Sequence, residues 1–126
     1  MITVKINNFT KKELACRCGC GLLNYDDNFL VKLQAFRLII GKPLFVNSGC
    51  RCKYHNKSVG GVDNSLHEAT TKKATACDVT NKNPQEIYET ACVSGLFNEV
   101  IFYKSKRFVH LGYDPNQSGN YYNIKD

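Results

Sequence analysis

Tryptophan is absent from the 126 residues, and histidine is scarce: His55, His67 and His110 are the whole supply. Without Trp, the bulk of any core falls to seven Phe and seven Tyr, which suffices for one modest core. No apolar run is long enough to cross a membrane, because the most apolar stretch, 29–46, is broken by Lys32, Arg37 and Lys42. The opening MITVKINNFTKKEL is too polar for the apolar region of a signal peptide, so synthesis as a soluble cytoplasmic protein is expected. There is no C-x-x-C pair, which argues against thiol–disulfide catalysis. Nor is there a helix-turn-helix, zinc-knuckle or RNP pattern. The basic residues are scattered rather than gathered in a block, so nucleic acid is not the expected partner.

What is present fits one globular domain over 1–126. Hydrophobic residues make up 43% and charged residues 22%, a balance that excludes a disordered chain. The formal net charge of +6 implies a basic surface, suited to solubility or to attraction by a polyanion such as the anionic polymers of a bacterial envelope.

Along the chain, a short strand is expected at 2–6, followed by the cysteine run Cys16-Arg-Cys18-Gly-Cys20-Gly. Asp26 or Asp27 can cap a helix whose Phe29, Leu30, Leu33, Phe36 and Ile40 share one face, with Gly41 and Pro43 ending it. A strand is expected at 44–48. The segment 49–66 is rich in Gly, Asn, Ser and Asp and reads as a loop, unusually long for a small domain. Strand character resumes at 74–80. A second helix follows, capped by Asn83 with Pro84 in its first turn, running to about Val93 and placing Ile87 and Ala91 on its core face. Glu99–Tyr103 and 107–111 read as two strands joined by a polar turn, and the tail from Asp114 reads as turn-rich, pinned by Tyr121 and Tyr122. The expected class is α+β, a small antiparallel sheet packed with two main helices.

Each histidine taken alone is an ordinary polar residue beside a turn or strand end. Their surroundings say more. Ser48-Gly49-Cys50-Arg51, His55-Asn56, Ser65-Leu66-His67, Ala76-Cys77-Asp78 and Phe108-Val109-His110 occur in that order. This series resembles the motifs of the zinc D-Ala-D-Ala carboxypeptidase and L-alanyl-D-glutamate endopeptidase family, whose fold is shared with the hedgehog signalling domain. The likeness extends over residues 9–111. It implies a zinc site of His67, Asp78 and His110, with Arg51 and Ser65 as substrate-side or supporting groups and His55 in a supporting position. Two imidazoles and one carboxylate suit a catalytic zinc, since they leave a tetrahedral position open. The implied activity is hydrolysis of amide bonds in peptidoglycan stem peptides, by a lytic or wall-remodelling enzyme of the phage-endolysin kind. The implied partner is peptidoglycan, the site of action the cell wall or periplasm, and the expected state a monomer.

The chain departs from that pattern in three places. The interval from His67 to Asp78 is eleven residues, lengthened by the polar insert 69–73. The positions where relatives carry an acid near the last ligand hold Arg107 and Gly112. An Arg often seen after the last His has no counterpart in Leu111-Gly-Tyr-Asp-Pro115. A peptidase needs a group to move protons, and the acids near the ligands in sequence are Asp114, Glu68 and Glu99. Asp114, closest after His110, is the first choice as that catalytic group. Without an effective acid the alternative is a non-catalytic zinc module, binding cell wall or building a virion.

Seven cysteines cannot all pair within one chain. Cys77 and Cys92 read as small buried residues. Cys16, Cys18, Cys20, Cys50 and Cys52 fall in two tight sets. Four of them as zinc thiolates, or disulfides between the sets, would both staple the N-terminal segment to the loop beside the site.

Overall fold

The computed structural model describes residues 6–126, so the strand expected at 2–6 lies outside the described residues. Two long helices line one side of the core. Helix α2, Asp27–Ile40, begins where the Asp26 carboxylate accepts the Phe29 N–H, and ends where Gly41 turns left-handed at φ 65°. Its Phe29, Leu30, Leu33 and Phe36 are fully buried. Helix α4, Pro84–Ser94, starts at the Asn83 cap with Pro84 in the first turn, and lays Ile87 and Ala91 against the sheet. Two short helices escaped the periodicity argument because neither is long enough to show a period. They are α1, Lys11–Leu14, closed by a Thr10–Glu13 capping box, and α3, Lys53–Ser58, inside the segment expected to be all loop.

The strands are β1 (Phe45–Ser48), β2 (Ala76–Thr80), β3 (Glu99–Tyr103), β4 (Phe108–Gly112) and β5 (Tyr121–Lys125), in the order β1-β2-β4-β3-β5. The class is α+β as expected, but the sheet is mixed rather than antiparallel, because β5 runs parallel to β3. The cause is local. Gly112 at the end of β4 lies opposite Glu99 at the start of β3, so the chain needs only to loop over that end to enter β5 beside Glu99. Asn98 secures the crossing. Its side chain exchanges hydrogen bonds with the Asp114 backbone, and its carbonyl accepts from Gln117 and from the Tyr121 N–H. The tail is thus a strand, hidden from sequence reading by weak alternation.

One cluster of buried side chains joins α2, α4 and the sheet, with Phe97 tilted against Phe29 and edge-on to Phe36. Cys77 and Val79 of β2 belong to it, so Asp78 between them points to the opposite face. That alternation sets the position of everything that follows.

Candidate metal centre

Asp78 and His110 are direct register partners across β2 and β4, so their side chains emerge together on the face away from the helices. His67 arrives from the loop before β2. Its Nε2 lies 3.1 Å from Asp78 Oδ1 and 3.2 Å from His110 Nδ1, and His110 Nδ1 lies 3.0 Å from Asp78 Oδ1. All three residues are buried. A tetrahedral ion with donors at about 2.0–2.1 Å would space them about 3.3 Å apart, so the three donors have the separation and the identities that zinc uses.

The outer nitrogens decide which lone pairs are free. His67 Nδ1–H donates to the Gly49 carbonyl at 2.7 Å, and His110 Nε2–H donates to Glu99 Oε1 at 2.5 Å. Each bond leaves the other nitrogen's lone pair aimed at the centre, as a ligating histidine requires. Burial alone would push the Asp78 carboxyl up, but the two imidazoles outweigh it and hold Asp78 well below the usual carboxylate range. Burial likewise opposes charge on His110, yet hydrogen bonds to Asp78 and Glu99 prevail and raise it to about 9. The His110 bond holds Glu99 below its ordinary value. Without an ion, a proton therefore sits among these donors at neutral pH.

The centre opens to a cleft of about 510 Å³ whose lining includes Arg51, Ser65, Glu99, Tyr103 and Asp114. Arg51 bonds Ser48 Oγ and Asn56 Oδ1, and its guanidinium sits 3.6 Å from Asp78 Oδ2. Ser65 Oγ accepts the His67 N–H, so it orders the ligand's own turn. His55 lies on α3 outside the cleft lining. The insert 69–73 closes on itself. Glu68 is buried and accepts from Thr70 N, Thr71 N and Thr71 Oγ1, while Asn24 holds the Ala69 and Lys72 carbonyls. The added residues bulge outward and leave His67 and Asp78 in contact.

The three acids considered near the ligands separate clearly. Glu68 serves the insert. Asp114, first choice from sequence, accepts the Asn116 N–H through Oδ1 in the turn at Pro115 and lines the cleft. Glu99 alone of the three touches a ligand side chain. It reaches His110 across the β3–β4 pairing, on the diagonal, rather than along the chain, so proximity in sequence does not reveal the contact.

Four of the five clustered cysteines, Cys16, Cys18, Cys20 and Cys52, bring their sulfurs within 4.8 Å of one another. Cys50 stands apart. It is buried, and its thiol donates to the Leu22 carbonyl.

A family model described as peptidase M15 matches residues 7–112. The chain belongs to the peptidase M15 family. M15 peptidases are zinc enzymes, and the matched span includes His67, Asp78, His110, Arg51 and Glu99. No curated protein matches the chain at a significant level. Membership in M15 and a three-donor centre at the floor of a cleft agree on a metallopeptidase framework.

Proposed function

We propose that this M15 domain is a zinc peptidase that hydrolyses amide bonds in peptidoglycan stem peptides. The observation that carries the reading is the convergence of His67 Nε2, Asp78 Oδ1 and His110 Nδ1 at the floor of an open cleft, with an arginine and a second acid beside them. Zinc bound to these three donors supplies Lewis acidity toward a scissile carbonyl and activates water near neutral pH. Gly49 and Glu99 hold the two imidazoles in the ligating tautomers. Glu99, partly exposed and lining the cleft, is the group assigned to take the proton of the attacking water and return it to the leaving amine. Arg51 steadies Asp78 and offers its remaining charge to a substrate carboxylate or to the developing oxyanion. The basic surface suits a substrate embedded among anionic envelope polymers.

The rival, a non-catalytic zinc module on the same fold, drew its support from the missing acids at 107 and 112. Glu99 provides an acid from the neighbouring strand and weakens that case. Digestion of purified peptidoglycan, with products identified by mass spectrometry, tests the proposal. The expected result is release of new amino groups, abolished by chelation and by His110→Ala, with the products naming the bond. Wild-type protein that binds zinc and wall yet releases nothing would establish the module instead.

A further inference from the structure

Outside the cleft, the densest group of metal-ligating side chains among the described residues is the cysteine knuckle. We propose that Cys16, Cys18, Cys20 and Cys52 form a second metal site, in which four thiolates hold one zinc ion as a structural staple. This proposal does not depend on the chain being a peptidase.

The sulfur geometry carries it. Cys16 Sγ and Cys18 Sγ are 3.5 Å apart, Cys18 Sγ and Cys52 Sγ are 3.6 Å apart, and all four sulfurs lie within 4.8 Å. A tetrahedral zinc with Zn–S of about 2.3 Å places its sulfurs about 3.8 Å from one another. A disulfide brings one pair to about 2.05 Å and leaves the others free to diverge. Four sulfurs gathered within 4.8 Å, with two of their separations at 3.5 and 3.6 Å, match the first arrangement and not the second. Zinc is the cation of choice because an all-thiolate tetrahedron is a closed structural zinc site with no open position.

The backbone around the sulfurs has the matching features. Left-handed Gly19 (φ 91°) and Gly21 (φ 77°) let the chain double back, so that three ligands come from five consecutive residues. Backbone N–H groups donate to two of the sulfurs, Cys52 N to Cys16 Sγ and His55 N to Cys52 Sγ, both at 3.3 Å. N–H···S bonds of this kind are the supporting contacts that metal-ligating side chains receive. Cys50, close in sequence, stands outside the cluster: it is buried and its thiol donates to the Leu22 carbonyl.

The staple's position gives it a purpose. Cys52 follows Arg51 and caps α3, while Gly49, three residues before, supplies the carbonyl that orients His67. A methyl group on Gly49 would meet the Leu14 carbonyl oxygen, so the knuckle's stem packs directly on this segment. Cys50 N–H also donates to the Leu14 carbonyl. One zinc at the knuckle therefore clamps residues 14–20 to 49–52 and fixes the wall from which Arg51 and the Gly49 carbonyl reach the centre.

The test uses the full chain purified under reducing conditions with zinc. Metal analysis is expected to give about two zinc ions per chain, falling to about one in Cys18→Ser/Cys20→Ser and to about one in His110→Ala. Cobalt substitution should produce an intense sulfur-to-cobalt charge-transfer band that survives His110→Ala and vanishes in the cysteine variant. Should that variant fail to fold, wild-type protein alone decides: stepwise mercurial titration is expected to release about one zinc as about four thiols react. A reduced wild-type protein without the thiolate–cobalt band, or an intact mass showing these cysteines paired as disulfides in the zinc-grown protein, would overturn the assignment. Loss of peptidase activity alone bears on the His67–Asp78–His110 centre, whereas these readouts report the sulfurs.

Discussion

At the three donors, the placement of protons governs both metal uptake and chemistry. His110 is raised to about 9 by Asp78 and Glu99, so below that pH the metal-free centre holds a proton that zinc must displace. Apparent zinc affinity is expected to fall by up to about tenfold for each pH unit below 9, a slope measurable by chelator competition. The same shifts set the stability of the metal-free protein. The contribution of His110 is fully present below its unfolded value near 6.5 and fades as pH rises through about 9. Asp78, held low, contributes above its unfolded value near 3.8 and loses that contribution as pH falls. Chelated protein should therefore melt at a higher temperature at mildly acidic pH than in alkali, and a melting curve rising steadily toward alkali would contradict the geometry. The two remaining acids are separated by substitution. Glu99→Gln is expected to lower kcat by about 10²–10⁴-fold, to remove the acidic limb of the pH profile and to keep zinc bound. Asp114→Asn, whose carboxylate caps a turn, should stay near wild-type turnover in the same peptide assay.

Pairing between elements turns scattered residues into a centre. The β2–β4 register places Asp78 opposite His110, and the β3–β4 hairpin brings Glu99 alongside. Behind the sheet, Phe97 in the turn between α4 and β3 packs on Phe29 and Phe36 of α2, with ring centroids 5.9 and 5.6 Å away. Phe97→Ala should cost about 3–5 kcal/mol in denaturant unfolding, since it opens a cavity where three elements meet. The long helices were legible because 29, 30, 33 and 36 repeat at helical spacing between a capping Asp and a left-handed Gly. Helix α3 was not, because six polar residues inside a Gly- and Asn-rich segment carry no apolar period. Strand β5 was missed for a related reason: as an edge strand it buries too little for alternation to show.

Across the whole molecule, the +6 charge acts at a range that no single contact does. Binding to intact wall, with its anionic polymers, should weaken as salt rises from about 50 to about 500 mM, because the screening length shrinks several-fold. Hydrolysis of a short neutral peptide should hardly change over the same range. Equal salt dependence of both would place the charge effect in the cleft instead of on the surface. None of the helices among the described residues is long and apolar enough to cross a membrane.

The sequence by itself determined which residues could ligate a metal. All three histidines stand in the ordered motifs, the resemblance those motifs carry singles out His67 and His110 with Asp78, and donor chemistry is a property of side chains alone. It also determined the two long helices, since local caps and apolar spacing need no distant partner. The tertiary structure decided the rest. Glu99 instead of Asp114 came to His110, and four cysteines came together without the fifth, because adjacency between strands and across loops depends on register and chain reversal. Those relations are set when the core closes, and they leave no mark in the spacing of residues along the chain.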